Sequence, residues 1–158
     1  MTQAEHKEWV DRMFPNQPVY MPVMGMVEEA AELFRAVLKQ DQEKVYGKEP
    51  RFVDKDWYAE QIDAIGDCTI YCCSFCNAAG WKFDELLHDA QGYVPKHCTI
   101  LRTLQDLIST ANLLIIDKFQ GYVVRYLSNL KVLAKLLSID FDVAVQITWE
   151  KVRERCRT

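Results

Sequence analysis

The chain has 158 residues, of which 49% are hydrophobic and 27% charged, with only 6 glycines and 5 prolines. This length suits one domain with a single core, and the composition excludes disordered, collagen-like and low-complexity proteins. The net charge of −4 and the isoelectric point near 5.4 argue against a general nucleic-acid-binding protein, because phosphate contacts need a basic surface.

The N-terminal sequence predicts a cytoplasmic protein that begins with a short helix. Residues 1–14 carry charges of both signs and lack the apolar core and cleavage site of a signal peptide. A first helix is expected from Gln3 to Met13, and the proline-rich residues 14–25 should then form an extended arm. The longest uncharged apolar run, residues 68–80, is too short and too polar to cross a membrane.

The rest of the chain is also predicted to be helical. Apolar residues recur at helical spacing from Met26 to about Gln40, and a polar loop of about 15 residues follows. A third helix is expected from Asp56 to Ala79, capped by Asp54 or Asp56 and stopped by Gly80. Four further helices are expected within residues 81–92, 97–116, 120–137 and 141–155. Because no stretch alternates with period two for long enough to form a strand, the predicted fold class is all-α.

Two helical hairpins are expected to form a four-helix-bundle core, with short additional helices. Phe83-Asp84 after the first hairpin matches Phe141-Asp142 after the second, at an offset of 58 residues, so the second half is interpreted as a degenerate copy of the first. A hairpin cannot bury its apolar stripe alone, which favours pairing of the two. We therefore expect a single domain, residues 1–158, made of an acid-rich half (1–90) and a degenerate half (91–158).

Four of the six cysteines lie close together on the third predicted helix: Cys68, Cys72, Cys73 and Cys76. Three of them repeat every four residues, and a stripe on one helix face cannot enclose a metal ion tetrahedrally without ligands from elsewhere. We expect these cysteines to be small buried hydrophobic residues. A metal-binding or redox role is the alternative.

Six acidic residues are expected to converge from the second and third helices: Glu28, Glu29 and Glu32, and Glu60, Asp63 and Asp67. On a helix with 100° per residue, each set shares a face, and each face is close to the apolar face that must pack. Like charges so close together are costly unless a cation compensates, and carboxylates without histidine or thiolate suit Mg²⁺ or Mn²⁺. A solvated acidic face is the alternative. Asp67 weighs against it, because this residue lies within an apolar run.

The two acidic motifs resemble those of the MazG-like all-α nucleoside triphosphate pyrophosphohydrolases. The EExxE motif, Glu28 to Glu32, and the ExxD motif, Glu60 to Asp63, are separated by 27 residues, which is similar to the family's spacing. Gly25, the helix exit NAAGWKFDELL and the closing TWEKVRER also resemble family features, and Asp67 resembles a variant ExxDxxxD pattern. The resemblance covers about residues 24–90 and 139–156. It implies hydrolysis of a nucleoside triphosphate to the monophosphate and diphosphate.

The resemblance also implies roles for the motif residues. The metal ligands for Mg²⁺, or for Mn²⁺ as the second choice, would be Glu29, Glu32, Glu60 and Asp63. Glu28 would orient or deprotonate the attacking water, or contact the metal ligands without binding the metal ion itself. The terminal pair Lys151 and Arg155 would contact phosphate, although a basic helix end that complements the helix dipole is an equal alternative. The loop between the acidic helices offers further cations: Lys44, Lys48, Arg51 and Lys55.

The substrate is expected to be a deoxynucleoside triphosphate such as dGTP. Residues of the N-terminal arm would stack on its base, with core packing as the alternative: Trp9, Phe14, Tyr20, Met24 and Met26. The second hairpin has too few acids for a ligand set of its own, so one metal site per chain is expected. The resemblance leaves room for a homodimer or a tetramer.

Three other functions are weighed against this one. A ferritin-like di-iron protein needs two Glu-x-x-His units, and this chain has one, Glu85 to His88. A non-catalytic helical interaction module would use its acids to attract a basic partner. A phosphoribosyl-ATP pyrophosphohydrolase would share the chemistry and differ in its substrate.

Overall fold

The computed structural model describes residues 1–155, except for the side chain of Arg155. These residues form seven α-helices and one short 3-10 helix, and they contain no β-strand. The helices are α1 (Gln3–Met13), α2 (Tyr20–Tyr46), the 3-10 helix Pro50–Phe52, α3 (Trp57–Ala79), α4 (Phe83–Asp89), α5 (Ile100–Ile116), α6 (Gln120–Leu136) and α7 (Phe141–Arg155). The predicted all-α fold class is confirmed.

Helix α1 has the predicted bounds, whereas α2 is longer than predicted at both ends. The helix begins at Tyr20, so the prediction of an extended arm is wrong for the last residues of the arm. Pro22 lies in the first turn of α2, where the helix does not need the missing N–H. At its other end α2 continues to Tyr46 and stops at Gly47, which has a φ of 79°. The loop before α3 is therefore shorter than predicted.

Helix α3 agrees with the prediction to within one residue. The side chain of Asp56 accepts hydrogen bonds from the backbone N–H groups of Tyr58 and Ala59, which caps the first turn. Gly80 ends the helix in the left-handed conformation, with a φ of 72°. Within residues 1–155, no helix combines the length and the apolar composition needed to cross a membrane.

The cysteine stripe of α3 lies in the main hydrophobic core. None of its four members has exposed surface, and each is a free thiol: Cys68, Cys72, Cys73 and Cys76. Burial raises the thiol pKa of Cys68 and Cys73, which keeps both side chains neutral. The prediction that these cysteines are small buried hydrophobic residues is confirmed.

Helix α3 is central to the packing, because it contacts α1, α2, α4, α6 and α7. Helices α2 and α3 are neighbours along the chain, and near their connection the indole Nε1 of Trp57 donates to Glu43 Oε1 at 3.0 Å. Helix α5 packs against α6 and also against α2. The buried hydroxyl of Tyr126 in α6 donates to the carbonyl oxygen of Met26 in α2 at 3.1 Å. The two hairpins therefore share one hydrophobic core.

Two glycines allow the helices around α3 to approach one another closely. A Cβ atom at Gly25 of α2 would overlap the ring of Tyr71 of α3. A Cβ atom at Gly66 of α3 would overlap the side chain of Thr148 and lie 3.0 Å from the carbonyl oxygen of Ala144, both in α7. These contacts set the spacing of the three helices that carry most of the predicted site residues.

The substitution Gly66→Ala should destabilise the protein by about 1–3 kcal/mol, because the added methyl group overpacks the contact between α3 and α7. Urea unfolding followed by circular dichroism measures the change. In the double variant with Thr148→Ala, part of the loss should be recovered, since the overlapping side chain is then removed. Equal stability of Gly66→Ala and the unsubstituted protein would contradict the close approach.

A buried histidine joins α1 to α3. His6 has no exposed surface, and its ring nitrogens lie 3.2 Å from Ser74 Oγ and 3.1 Å from Asn77 Nδ2. Desolvation lowers the pKa of His6 from 6.5 to about 4. The imidazole is therefore neutral at pH 7 in the folded protein, and it packs against the indole rings of Trp9 and Trp149.

His6 should make the protein less stable as the pH falls. The folded pKa is below the unfolded value, so the unfolded chain binds the proton first, and the loss begins near pH 6.5 and continues to about pH 4. Between pH 7 and pH 5 this linkage is expected to cost about 2 kcal/mol.

Urea unfolding at several pH values tests this pH dependence. A His6→Gln variant should lose this part of the dependence, whereas His88→Gln should retain it, because the side chain of His88 is 89% exposed. Parallel pH curves for the unsubstituted protein and His6→Gln would show that His6 is not held neutral.

Candidate functional site

The structure brings most of the predicted acidic residues to one region between α2 and α3. The carboxylates of Glu28, Glu29 and Glu32 come from α2, and that of Asp63 from α3. Glu29 is half-buried, whereas Glu28 and Glu32 are exposed. The six acids therefore do not form one uniformly solvated face.

Glu29 is the electrostatic centre of this acidic cluster. Its pKa is raised from 4.5 to about 8, first by burial and then by the nearby charges of Asp67, Glu32, Glu28 and Asp63, in that order. Four carboxylates from two helices therefore lie close enough to Glu29 to disfavour its charged form. In residues 1–155 Glu29 makes no hydrogen bond or ion pair that would offset the repulsion. A bound cation would supply the missing compensation.

Tyr71 lies beside the same cluster and was not predicted to be a site residue. Burial raises its pKa, and the charges of Glu29 and Asp67 raise it further. Its ring lies against Gly25 of α2. Because the pKa of Tyr71 is raised, its hydroxyl stays protonated beside the acids. The residue is one helical turn after Asp67, so helical spacing could have identified it.

Asp63 of α3 forms an ion pair with Lys151 of α7, and both are predicted site residues. The Nζ atom of Lys151 lies 2.7 Å from Asp63 Oδ1, and the hydroxyl of Thr148 donates to the same oxygen at 3.4 Å. The predicted phosphate-binding lysine is thus adjacent to the acidic cluster. Its predicted partner Arg155 belongs to α7, but its side chain lies outside the described part of the chain.

Glu60 is placed differently from the other predicted metal ligands. Its Oε1 atom forms an ion pair with Lys55 at 2.7 Å, and the largest charge contributions to the raised pKa of Glu29 come from other acids. Asp67, which the sequence marked only as an additional acid, is the largest charged contributor to that shift. The acidic cluster is therefore centred about one turn further along α3 than the ExxD motif suggests.

The basic loop between α2 and α3 is largely neutralised by nearby acids. Lys44 pairs with Asp41, Lys55 pairs with Glu60, and Arg51 pairs with Glu49. Lys48 donates to the backbone oxygen of Val53 at 3.2 Å. Among the side chains that the structure describes, Lys151 is therefore the predicted cation that lies at the acidic cluster.

A cleft of about 310 Å³ adjoins the acidic cluster. Its lining combines aromatic, acidic and small polar side chains: Trp9, Phe14, Gln17, Glu29, Asp67, Ile70, Tyr71, Ser74 and Val152. Of the five predicted stacking residues, Trp9 and Phe14 line this cleft. Met26 is fully buried in the core, and Tyr20 and Met24 are more than half exposed.

The donor set suits a hard divalent cation by its chemistry, since it consists of carboxylate oxygens that repel one another. Among the residues that the structure describes, however, no three His, Cys, Asp or Glu side chains are gathered closely enough to hold a metal ion. The cluster therefore offers ligands from two rigid helices, and these side chains would have to rotate to meet around one ion.

Comparisons of the chain with known protein families, with curated proteins and with solved structures find no match.

The substitution Glu29→Gln should stabilise the metal-free protein. With a pKa of about 8 the folded Glu29 is largely protonated at pH 7, whereas the unfolded chain ionises it, so folding takes up a proton here at a cost in stability that the substitution removes. The expected gain at pH 7 is about 1 kcal/mol, because water screens a half-buried group. Urea unfolding in EDTA measures it, with the exposed Glu28→Gln as a control that should change stability less.

Magnesium should make the unsubstituted protein more stable than Glu29→Gln, the reverse of the order expected without metal. Millimolar Mg²⁺ is expected to raise the unfolding temperature of the unsubstituted protein and to leave that of Glu29→Gln unchanged, since binding to the folded state alone stabilises it. An equal shift in both proteins would argue against Glu29 as a ligand.

Proposed function

We propose that the protein is a Mg²⁺-dependent nucleoside triphosphate pyrophosphohydrolase. It would convert a (deoxy)nucleoside triphosphate and water to the monophosphate and diphosphate. The observation that supports this most is the crowding of carboxylates from α2 and α3 around the half-buried Glu29, beside the cation Lys151. The resemblance of the acidic motifs to the MazG-like family adds to it.

The acidic cluster is the part of the chain that would hold Mg²⁺. The ligands we propose are Glu29, Glu32 and Asp63, with Asp67 added because its charge acts most strongly on Glu29. Glu60 remains a predicted ligand that the variants below test. When bound, Mg²⁺ would neutralise the charge of the triphosphate and make a coordinated water more acidic.

Glu28 is the proposed proton acceptor for the attacking water. It is exposed, it neighbours Glu29 along the chain, and its charge reaches the same cluster. The oxygen of water would bond to the α-phosphorus, and Glu28 would take the proton that is released. The bond between the α-phosphorus and the bridging oxygen breaks, and diphosphate leaves.

Lys151 is the proposed phosphate contact. Phosphate groups held at the acidic cluster need cationic side chains, since carboxylates alone repel them. The ammonium group of Lys151 is already 2.7 Å from Asp63, so it is close to the bound triphosphate in this proposal. Arg155, one turn further along α7, is the second proposed contact.

The cleft beside the cluster is the proposed site for the nucleoside. Trp9, Phe14 and Tyr71 provide aromatic surface, and Glu29 and Asp67 are shared between the cleft and the acidic cluster. Its volume is within the range of small-molecule pockets. A deoxynucleotide such as dGTP remains the proposed substrate.

The proposal includes an architecture and a compartment. Helices α2, α3, α5 and α6 would form a four-helix bundle, in which the α5–α6 hairpin is a degenerate copy of α2–α3. The contacts of α2 with α3 and α5, and of α6 with α3 and α5, support this arrangement. A cytoplasmic location is also proposed, because nucleoside triphosphates are made and used there.

Diphosphate release from a panel of nucleoside triphosphates in Mg²⁺ tests the proposed activity. Glu32→Ala and Asp63→Ala should each lower kcat by at least about 100-fold while the far-ultraviolet circular dichroism stays unchanged, because each removes a charge that positions the metal. Glu85→Ala on α4 is the matched control, since this exposed glutamate pairs with Lys82 away from the cluster. Retained turnover in Asp63→Ala would reject the ligand assignment.

Two further variants decide the fourth ligand. We expect Asp67→Asn to lose activity and Glu60→Gln to keep most of it, because Asp67 is the acid whose charge acts most strongly on Glu29. The reverse result would restore the ligand set of the ExxD motif.

A chain that binds nucleotides but never forms monophosphate would be an interaction module, and turnover of phosphoribosyl-ATP alone would identify the other pyrophosphohydrolase class.

A further inference from the structure

A chain of hydrogen bonds connects the backbone at the start of α4 to a hydroxyl group in the cleft. The backbone N–H of Phe83 donates to Gln3 Oε1 at 2.8 Å. The Nε2 atom of Gln3 donates to the carbonyl oxygen of Trp81 at 2.7 Å and to Asn77 Oδ1 at 2.8 Å. A backbone N–H only donates and a carbonyl oxygen only accepts, so these two backbone groups fix the orientation of the Gln3 amide.

The amide of Gln3 in turn fixes the tautomer of His6. Because Asn77 Oδ1 accepts from Gln3, the atom of Asn77 that lies 3.1 Å from His6 Nδ1 is the amide nitrogen, which only donates. His6 Nδ1 is therefore an acceptor, and the proton of the neutral ring is on Nε2. That atom lies 3.2 Å from Ser74 Oγ, so His6 donates to Ser74.

Ser74 accepts this hydrogen bond, which leaves its own hydroxyl proton for another partner. Thr69 on the same helix differs from Ser74 in this respect, because its hydroxyl donates to the carbonyl oxygen of Ile65, four residues earlier. Within residues 1–155 the bond with His6 is the only hydrogen bond of the Ser74 side chain. Its hydroxyl is therefore a donor without an acceptor in that part of the chain, in a residue that lines the cleft next to Glu29 and Tyr71.

Trp9, which lines the same cleft, holds a second unused donor, but this donor lies in the interior. Its side chain is only 9% exposed, and its indole Nε1 is buried without an acceptor among the described residues. Unsatisfied buried donors are costly, and native proteins keep few of them. The hydroxyl of Ser74, in a residue that lines the cleft, is therefore the donor that favours a ligand with hydrogen-bond acceptors.

We propose that Ser74 is a specificity-determining residue that donates a hydrogen bond to a ring nitrogen or carbonyl oxygen of a nucleobase. This inference rests on the proposed function for the nature of the ligand. Gln3, Asn77 and His6 are positioning residues, because they hold Ser74 as a donor without touching the ligand.

A nucleobase fits the cleft better than a purely apolar ligand does. Its faces would lie against the aromatic rings of Trp9, Phe14 and Tyr71, and its edge would supply the acceptor for Ser74. The cleft is continuous with Glu29 and Asp67, so a base bound here leaves its phosphates near the acidic cluster.

The tautomer of His6 gives a test that does not depend on any ligand. The ¹⁵N resonances of the His6 ring, assigned through a His6→Gln variant, should show a neutral ring with the proton on Nε2 at pH 7. A neutral ring with the proton on Nδ1, or a doubly protonated ring, would overturn the hydrogen-bond chain.

Binding of nucleoside monophosphates in EDTA tests the role of Ser74 without metal or turnover. Isothermal titration with the four deoxynucleoside monophosphates identifies the tightest, and analogues of that compound lack one ring nitrogen or carbonyl oxygen each. The unsubstituted protein should bind one analogue about 10-fold more weakly than its parent, the effect of one lost hydrogen bond. This comparison needs no variant, so it holds even where Ser74→Ala fails to fold.

Ser74→Ala should bind the parent compound about 10-fold more weakly and no longer distinguish it from that analogue. Thr69→Val is the matched control, because it removes a buried hydroxyl from the same helix outside the cleft and should leave base discrimination unchanged. Undiminished discrimination in Ser74→Ala, equal affinity for all analogues, or no binding of any monophosphate would overturn the role of Ser74. Failure to release diphosphate while this discrimination persists would reject only the proposed hydrolysis.

Discussion

The close packing of α2, α3 and α7 is the constraint on which the candidate site depends. Gly25 and Gly66 have no Cβ atom, so the three helices can approach one another closely. Side chains of the neighbouring helices occupy the space that a Cβ atom would need. At that spacing the carboxylates of two helices repel one another around Glu29, and Lys151 reaches Asp63. Like charges that lie this close together reduce stability unless another group compensates them.

The docking of α1 on α3 makes the second half of the site. The acidic cluster belongs to α2 and α3, whereas the aromatic side of the cleft needs Trp9 and Phe14 from the N-terminal segment. This docking relies on a neutral His6 and on the amides of Gln3 and Asn77. Their hydrogen bonds fix which atom donates and which accepts at each step from the backbone of α4 to Ser74. This chain of hydrogen bonds therefore determines whether the Ser74 hydroxyl in the cleft is free to donate.

Much of the fold could be predicted from local sequence signals. Asp56 and Gly80 mark the ends of α3, and the cysteine stripe marks its buried face, because capping and helical periodicity act over a few neighbouring residues. The same periodicity assigned Glu28, Glu29, Glu32 and Asp63 to shared helix faces. The start of α2 was predicted too late, since Pro22 was interpreted as a break although a first helical turn accommodates it.

The sequence by itself determined that this protein is helical, that α3 is buried through its cysteines, and that acids accumulate on two adjacent helices. Only the tertiary structure decided that Asp67 acts on Glu29 while Glu60 pairs with Lys55, and that Tyr71 and Ser74 line a cleft with Trp9. The reason is physical. Helical propensity depends on residues within one or two turns, whereas the meeting of side chains from different helices depends on the register and distance at which those helices pack.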